Sequence, residues 1–517
     1  MASRYARPAP DPALASRPFC PQALGTIAAF FFCSGCSLLI DSDDVTFSDP
    51  RGGPPVDDLP ACTLGDPSFV KPTELHRQGW FGFYLAATDD TVVALAPSEA
   101  DRSPQPANGA LGQIPEKASS FGRIYFFERQ GQSLLEAGSS ALNGAEHIEA
   151  ILPNSEIPGP FEPVILPAFN LAMDRDTVVV GVAGDGRIAP FRGSVRLFER
   201  KAEAWQERSD RLEEPSLREN DLFGLEVAVS PDLLVVSAPG TDVVHDDGSG
   251  PRSVHNAGAV YLYARSSGQY RASPALTSPF PDDAAGFGGA IALSDQWLAV
   301  SAPLEDRGPI NAGNSGAEES ALNDGAVYVY ARKGDDVDRE HPELVSLPSG
   351  ISQHNFGSRL ALRGTTLFVG AVFGGGCSGN QGVTTAAVHV FEHGESWIHR
   401  QCLEARIPFD LFGFDFSLND QTLAISAPWS DPSGDSTKSR GEVFLFDSKQ
   451  PEWATACRIT GPNGDWGDSF GASTAFVGED LVVSAPLEDS SGLGPGAKPG
   501  DNDNLDTGAM YVYPTRR

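Results

Sequence analysis

One pattern recurs seven times along this 517-residue chain. Each copy opens with Phe-Gly or a variant of it and continues through a short alternating run, a tight turn and a β-branched run that often ends in Ser-Ala-Pro. A loop then leads to a second alternating run rich in Tyr and Phe. The openings begin at Phe81, Phe169, Phe223, Phe287, Phe356, Phe412 and Phe470, about 65 residues apart on average. A repeat of this kind decides the architecture before any local propensity does.

Each copy predicts four antiparallel strands. Three come from the runs just described, with period-2 alternation and Gly, Pro or Asp at the turns. A fourth is visible after the third in two copies, at 397–403 and 453–459. We therefore predict an all-β fold, a seven-bladed β-propeller of four-stranded antiparallel blades over residues 60–517, because a closed ring removes exposed sheet edges.

Two details of the ring follow from the repeat. The last copy ends at Tyr513 without a fourth strand, so residues 60–76 are predicted to supply it, with Cys62 aligned to the fourth strands. The Phe of each opening is predicted to wedge between neighbouring blades. The second copy is the weakest, with Asn170 in place of the glycine.

These residues resemble the FG-GAP repeat family, the integrin α-subunit type of β-propeller that also occurs in bacterial secreted proteins. The resemblance covers about residues 60–517 and implies a seven-bladed propeller with a binding role. The family's calcium loop, D-x-D-x-D-G between the first and second strands, is missing here. The corresponding connections, such as Glu479-Asp480, are tight turns that cannot wrap several oxygens around Ca²⁺.

The N-terminal segment is predicted to be a targeting sequence. Three arginines precede an apolar run from Ala23 to Cys33, followed by Ser34, Gly35 and Cys36, which resembles the lipobox of a bacterial lipoprotein. Residues 1–35 are then the signal peptide, Cys36 is the lipidated residue, and residues 36–59 are a disordered tether. We expect a protein on the bacterial outer membrane or cell surface, attached to the membrane by lipid only; ordinary secretory cleavage or a wrong start codon are the alternatives.

The charge of the chain limits its partners. The formal net charge is −32, which argues against nucleic acid or anionic lipid as a direct partner. Such acidity also keeps an exported monomer soluble. The alternative is a surface that attracts cations or basic ligands.

The long connections lie between the second and third strands, and up-and-down topology gathers them on one face. Acidic residues are frequent in them, and Asp501, Asp503 and Asp506 in the last copy alternate with other residues as calcium ligands do. A calcium site there is one hypothesis, although no cofactor is required. The other is that Asp and Asn form turns and fix the loops.

Four cysteines remain downstream of the proposed lipidation site. An even count in an exported chain predicts two disulfides, Cys377 with Cys402 and Cys62 with Cys457. Four unpaired thiols are the alternative.

Function is predicted from what the chain contains and lacks. It has no metalloprotease, nucleophile-elbow or P-loop signature, so we do not expect an enzyme. A module that binds a protein or carbohydrate ligand through the long-loop face fits best. The alternatives are a structural envelope module, or a hydrolase or lyase on a propeller scaffold. Exposed apolar side chains on that face would favour binding, whereas acids and His with shifted pKa values at the axis would favour catalysis.

Overall fold

A computed structural model describes one compact unit of the chain. The described residues are 61–514, apart from residues 63, 76–78, 101–119, 132, 144–168, 186–188, 203, 210, 213, 247, 249, 306–324, 346, 348–354, 373–375, 378–385, 405–410, 431–439, 449–452, 463–466 and 495–506. The predicted signal peptide and tether lie outside this range.

The unit is a seven-bladed β-propeller, as predicted from the repeat. In the described residues there are 31 strands and no helix. Blade 1 is β2 (Tyr84–Ala87), β3 (Thr91–Ala100), β4 (Ser120–Gln130) and β5 (Ser133–Asn143). Blade 2 is β6 (Phe169–Asp174), β7 (Thr177–Val182), β8 (Ser194–Lys201) and β9 (Ala204–Glu207). Blade 3 is β10 (Val227–Val229), β11 (Leu233–Ala238), β14 (Ala259–Ser266) and β15 (Gln269–Ala272), with a hairpin of β12 (Val243–His245) and β13 (Arg252–Val254) in its long loop.

The remaining blades follow the same order. Blade 4 is β16 (Ile291–Leu293), β17 (Trp297–Ala302) and β18 (Ala326–Lys333), with both β19 (Asp336–Val337) and β20 (Glu343–Val345) on the outer side of β18. Blade 5 is β21 (Arg359–Arg363), β22 (Thr366–Ala371), β23 (Ala387–His393) and β24 (Trp397–Glu404). Blade 6 is β25 (Phe416–Leu418), β26 (Thr422–Ala427), β27 (Glu442–Asp447) and β28 (Ala454–Thr460). Blade 7 is β29 (Thr474–Val477), β30 (Asp480–Ala485), β31 (Ala509–Tyr513) and, from the other end of the unit, β1 (Ser68–Val70).

The ring closes where the sequence predicted, but with a different residue alignment. Strand β1 pairs antiparallel with β31, Ser68 opposite Val512. Cys62, which we had aligned with the fourth strands, precedes β1, and its N–H donates to the carbonyl of Arg458 in blade 6 at 3.0 Å. The N-terminal segment therefore contacts two blades, blade 6 through Cys62 and blade 7 through β1.

The hydrophobic core is divided into seven clusters, each between two consecutive blades, and every cluster contains one of the opening phenylalanines. Phe287 is fully buried between blades 3 and 4, and Phe81 joins blade 7 to blade 1. The prediction that these rings wedge between blades is confirmed. Burial of an aromatic ring contributes about 2–3 kcal/mol, so the Phe of each copy helps hold neighbouring blades together.

In six of the seven blades a glycine lies at the start of the third strand, and Ala386 takes this place in blade 5. Gly258 has φ of 89°, and a Cβ there would lie 2.2 Å from the carbonyl oxygen of Phe287 in the next blade. The N–H of Gly288 donates to the carbonyl of Ser301, and the Ser301 hydroxyl accepts from the N–H of Ala290 at 2.8 Å. The Phe-Gly and Ser-Ala-Pro motifs are therefore hydrogen-bonded to each other.

The interpretation of the second copy needs correction. Asn170 pairs with Gly181 in blade 2, just as Arg359 pairs with Gly370 in blade 5. Asn170 is thus the counterpart of Arg359, not of the opening glycine. The two-letter match at Phe169 was misleading because Phe169 fills the interblade position from within strand β6.

The short-loop face, which carries the tight turns, is joined by ion pairs between blades. Arg332 at the end of β18 lies 2.6 Å from Asp232 in the turn of blade 3, and Arg265 lies 3.0 Å from Asp174 of blade 2. Arg129 pairs in the same way with Asp480 across the closure of the ring. These acidic residues therefore connect neighbouring blades.

Candidate functional site

The face that carries the long loops is best described at blade 3. Its loop folds into the β12–β13 hairpin, Val243 opposite Val254. Three hydrogen bonds fix the hairpin and its end. The N–H of Asn256 donates to Asp242 at 3.0 Å, that of His255 to Asp283 at 2.8 Å, and the Arg252 guanidinium to the carbonyl of Pro281 at 3.4 Å. The hairpin and residues 278–284 are therefore one preformed element, which we call the blade 3 platform.

Large apolar side chains are exposed on this face. Val244 is 73% exposed at the hairpin, and Phe280 is 62% exposed in the adjoining connection to blade 4. Trp429 and Leu493 are exposed in the long loops of blades 6 and 7. Among the described residues, the fifth exposed large hydrophobic residue is Ile398, on the outer strand of blade 5.

Several acidic residues of the long loops are engaged in fixing those loops. Asp246 accepts from the N–H groups of Gly248 and Gly250. Glu305 is buried and accepts from Tyr328 at 2.5 Å and Ser278 at 2.9 Å. Glu488 is buried against Lys71 at 3.0 Å. These three residues therefore fix their loops, which the sequence analysis gave as the alternative to calcium binding.

A ring of seven side chains, six of them polar, lies at the axis, at the long-loop end of the first strands. Neighbouring first strands contact each other around the axis. The third residue after the opening Phe occupies the same register in each blade, and Asn170 takes this place in blade 2. The seven residues, which we call the axial ring, are Tyr84, Asn170, Glu226, Ala290, Arg359, Asp415 and Ser473.

The axial ring is connected by hydrogen bonds and ion pairs across blades. Arg359 donates to Asp415 at 2.7 Å and lies 3.8 Å from Glu226. Asn170 donates to the same oxygen of Glu226, Oε1, at 3.1 Å. The Ser473 hydroxyl donates to Asp415 at 3.1 Å. These contacts thus bridge five blades. Two positions further along each first strand, a small residue lies below the ring: Ala86, Ala172, Ala228, Ala292, Ala361, Ser417 and Ala475.

Burial shifts the protonation of this ring. Burial, opposed by Arg359 and reinforced by Asp415, raises the pKa of Glu226 to about 7. Burial, with the charges of Glu226 and Asp415, also raises the pKa of Tyr84. The two carboxylates raise the pKa of Arg359 despite its burial. Solvent still reaches the ring, since the Arg359 side chain is 32% exposed. The ring therefore combines a fixed cation with a carboxyl that titrates near neutral pH.

None of the site residues predicted from the sequence belongs to the axial ring. Cys36 and the calcium candidates Asp501, Asp503 and Asp506 lie outside the described residues. With both disulfides formed, the described part of the chain contains no group of three His, Cys, Asp or Glu residues able to hold a metal. The four cysteines form two disulfides, Cys62–Cys457 and Cys377–Cys402, with Cα–Cα distances of 4.9 and 5.6 Å.

The axial ring was missed in the sequence, although a signal for it existed. The third residue after each opening Phe varies among Tyr, Glu, Ala, Arg, Asp and Ser, while its neighbours are small or apolar. A repeat position within a core strand that varies and is polar in six of its seven copies indicates a shared polar environment. That position becomes recognisable only when the copies are aligned by register rather than by the Phe-Gly letters.

A search for membrane-spanning helices finds none in the described residues. No curated protein matches the sequence. Among solved structures, the WD40 domain of Toxoplasma gondii coronin is similar, with 7% identity, 89% of each chain covered and a TM-score of 0.43. The N-terminal domain of Nup159 is similar with 11% identity over 88% of this chain and 97% of that chain, and a TM-score of 0.37.

The family comparison is more specific. Residues 214–263 match the family model of the FG-GAP repeat. They include the opening of blade 3, its second and third strands and the hairpin between them. The chain is a seven-bladed β-propeller that carries an FG-GAP repeat, consistent with the FG-GAP propeller family that its sequence resembles.

Proposed function

We propose that this protein is an exported, lipid-anchored surface propeller that binds a protein or glycan ligand through its long-loop face. The FG-GAP propeller is an interaction scaffold, and binding residues commonly lie on loops held by such a rigid framework. The short-loop face is occupied by ion pairs between blades. The long-loop face is the side left for a partner.

The observation that carries the proposal is the position of Val244 and Phe280. Both are largely exposed, and both belong to the blade 3 platform, whose backbone is already fixed by hydrogen bonds. Apolar side chains on a preformed element lose little conformational entropy when a partner covers them. Covering such side chains contributes about 25 cal/mol for each Å² of apolar surface removed from water.

A hydrolase or lyase is the second candidate, because of Glu226. A carboxyl whose pKa is about 7 suits general acid or base catalysis at neutral pH. Its partners are Asn170 and Arg359, however, and the seven positions of the axial ring include no histidine. Glu226→Gln separates the two candidates, since it would abolish catalysis at the axis but leave capture by the blade 3 platform unchanged.

The binding test uses immobilised full-length protein and bacterial envelope extract, with and without calcium, followed by a glycan array. Val244→Ser with Phe280→Ser is the test variant, and Ile398→Ser is the matched control on the outer strand. We expect the parent and Ile398→Ser to retain the same partner and the test variant to lose it. Equal capture by all three proteins, or no specific capture by the parent, would reject the proposal.

The same proposal includes a calcium site, with Asp501, Asp503 and Asp506 as its ligands. If their loop binds Ca²⁺, chelation weakens capture and Asp503→Asn reproduces that loss without chelator. Capture that is unchanged by chelator would leave these residues with the loop-fixing role seen for Asp246.

A further inference from the structure

Two histidines and two cysteines meet on one side of blade 5. His389 on β23 is directly opposite Cys402 on β24. A bulge between Val390 and Phe391 then brings His399 opposite Phe391. Residues 389 and 391 face the same side of the strand, so His389, His399 and Cys402 share that side. Side chains directly opposite in an antiparallel pair have Cβ atoms about 4.5–5.5 Å apart.

The two histidines contact each other, and the two cysteines are bonded to each other. His389 Nδ1 lies 3.2 Å from His399 Nε2. Cys377 is bonded to Cys402, and its N–H donates to Glu404 at 2.7 Å. In this disulfide form the two sulfur atoms are bonded to each other, so neither is a free thiolate for a metal.

We propose that the dithiol form of this group, Cys377, Cys402, His389 and His399, is a tetrahedral binding site for Zn²⁺. This set of two thiolates and two imidazoles is one that zinc prefers. Two imidazole nitrogens at about 2.0–2.1 Å from a tetrahedral ion are about 3.3 Å apart, close to the separation of the two ring nitrogens here. This site goes beyond the proposed ligand binding on the long-loop face.

The sulfur atoms must separate for the ion to enter. Zn–S bonds of about 2.3 Å place two thiolates about 3.8 Å apart in a tetrahedral site, nearly twice the disulfide bond length. Cys377 follows three consecutive glycines, whose conformational freedom favours a movement of this size. Cys402 is fixed by the β23–β24 ladder together with the histidines, so Cys377 is the ligand that moves.

The chemical step is a two-electron reduction. A dithiol reductant attacks the Cys377–Cys402 bond, donates two electrons and two protons, and is itself oxidised to a disulfide. Zn²⁺ then binds, and the two thiols release their protons because the thiolate is the ligand. The oxidised state therefore excludes the metal, and the bound metal protects the thiols from reoxidation.

The test uses Co²⁺ as a spectroscopic substitute for zinc in the full chain. Cys20, Cys33 and Cys36 are changed to Ser in the parent for this assay, because Cys33 and Cys36 could themselves bind metal. We expect one equivalent of Co²⁺ per reduced protein, with thiolate-to-cobalt charge-transfer absorption and the intense visible bands of tetrahedral cobalt. The oxidised protein should show neither.

Two further variants make the assignment specific. Cys377→Ser with Cys402→Ser should abolish the charge-transfer band, although Cys62 and Cys457 remain as reducible thiols. His399→Gln should weaken Co²⁺ affinity at least about tenfold while circular dichroism shows an intact fold. The proposal is overturned if the reduced, folded parent lacks the band, if the band survives loss of Cys377 and Cys402, or if His399→Gln binds as tightly as the parent.

Discussion

Glu226→Gln should stabilise the propeller in a pH-dependent way. Glu226 is 17% exposed in the axial ring, and burial raises its pKa from 4.5 to about 7. A carboxyl with a raised pKa binds its proton more tightly in the folded protein than in the unfolded chain. Its contribution to stability is therefore greatest below pH 4.5 and is lost as pH rises through 7.

The size of the effect follows from the two pKa values. The gap between 4.5 and about 7 corresponds to at most about 3 kcal/mol of destabilisation at pH 8. Glutamine is neutral at every pH and keeps an acceptor for Asn170. We expect the free energies of unfolding of parent and variant to agree at pH 4 and to differ by up to about 3 kcal/mol at pH 8, with the variant more stable.

The measurement is scanning calorimetry of both proteins between pH 4 and pH 8. Unfolding entropy for a propeller of this size is about 1 kcal/mol per kelvin, so the expected gain in Tm at pH 8 is up to about 3 °C. Glu392→Gln, on the exposed side of β23, is the matched control and should show no such pH dependence. A Glu226→Gln difference that is constant from pH 4 to pH 8 would refute the burial argument.

Three other perturbations test the anchor, the closure and the buried ion pair. Cys36→Ala should release the protein from membranes in fractionation, and an unmodified N-terminus downstream of Cys36 in the parent would contradict lipidation. A truncation that begins at Gly79 removes β1 and Cys62, so it should aggregate or melt well below the parent; a stable monomer would contradict closure by β1. Lys71→Met leaves the buried Glu488 without its cation and should cost about 3–5 kcal/mol in denaturant unfolding. Adding Glu488→Gln should recover part of that loss, and no recovery would show that the pair is not coupled.

The repeat was enough to predict the ring. A Phe wedge occurs in all seven blades, a glycine at the start of the third strand in six, and a serine that caps the opening in four, and each meets a local requirement. Phe287, Gly258 and Ser301 illustrate this, since each contacts backbone or core that any blade of this type would supply. Such requirements can be recognised in a single sequence.

Other features depend on the register of strands, which letters alone do not fix. Asn170 appeared to replace a glycine until its pairing with Gly181 showed that it belongs to the axial ring. Cys62 appeared to lie in a closing strand because it resembled Cys457, whereas it lies beside blade 6 and is bonded to Cys457. In both cases the residues matched the motif by letter, but the structure places them elsewhere in the fold.

Constant and variable repeat positions differ in what they do within the ring. The wedges between blades and the ion pairs of the short-loop face hold the ring, and none of their Phe, Arg and Asp side chains belongs to the axial ring. That position is therefore free to vary from blade to blade, and in this chain it has acquired a guanidinium, two carboxyls, a phenol and an amide. A partner that distinguishes one blade from another must contact positions at which the copies differ. The axial ring and the blade 3 platform are two such places, and both lie on the long-loop face.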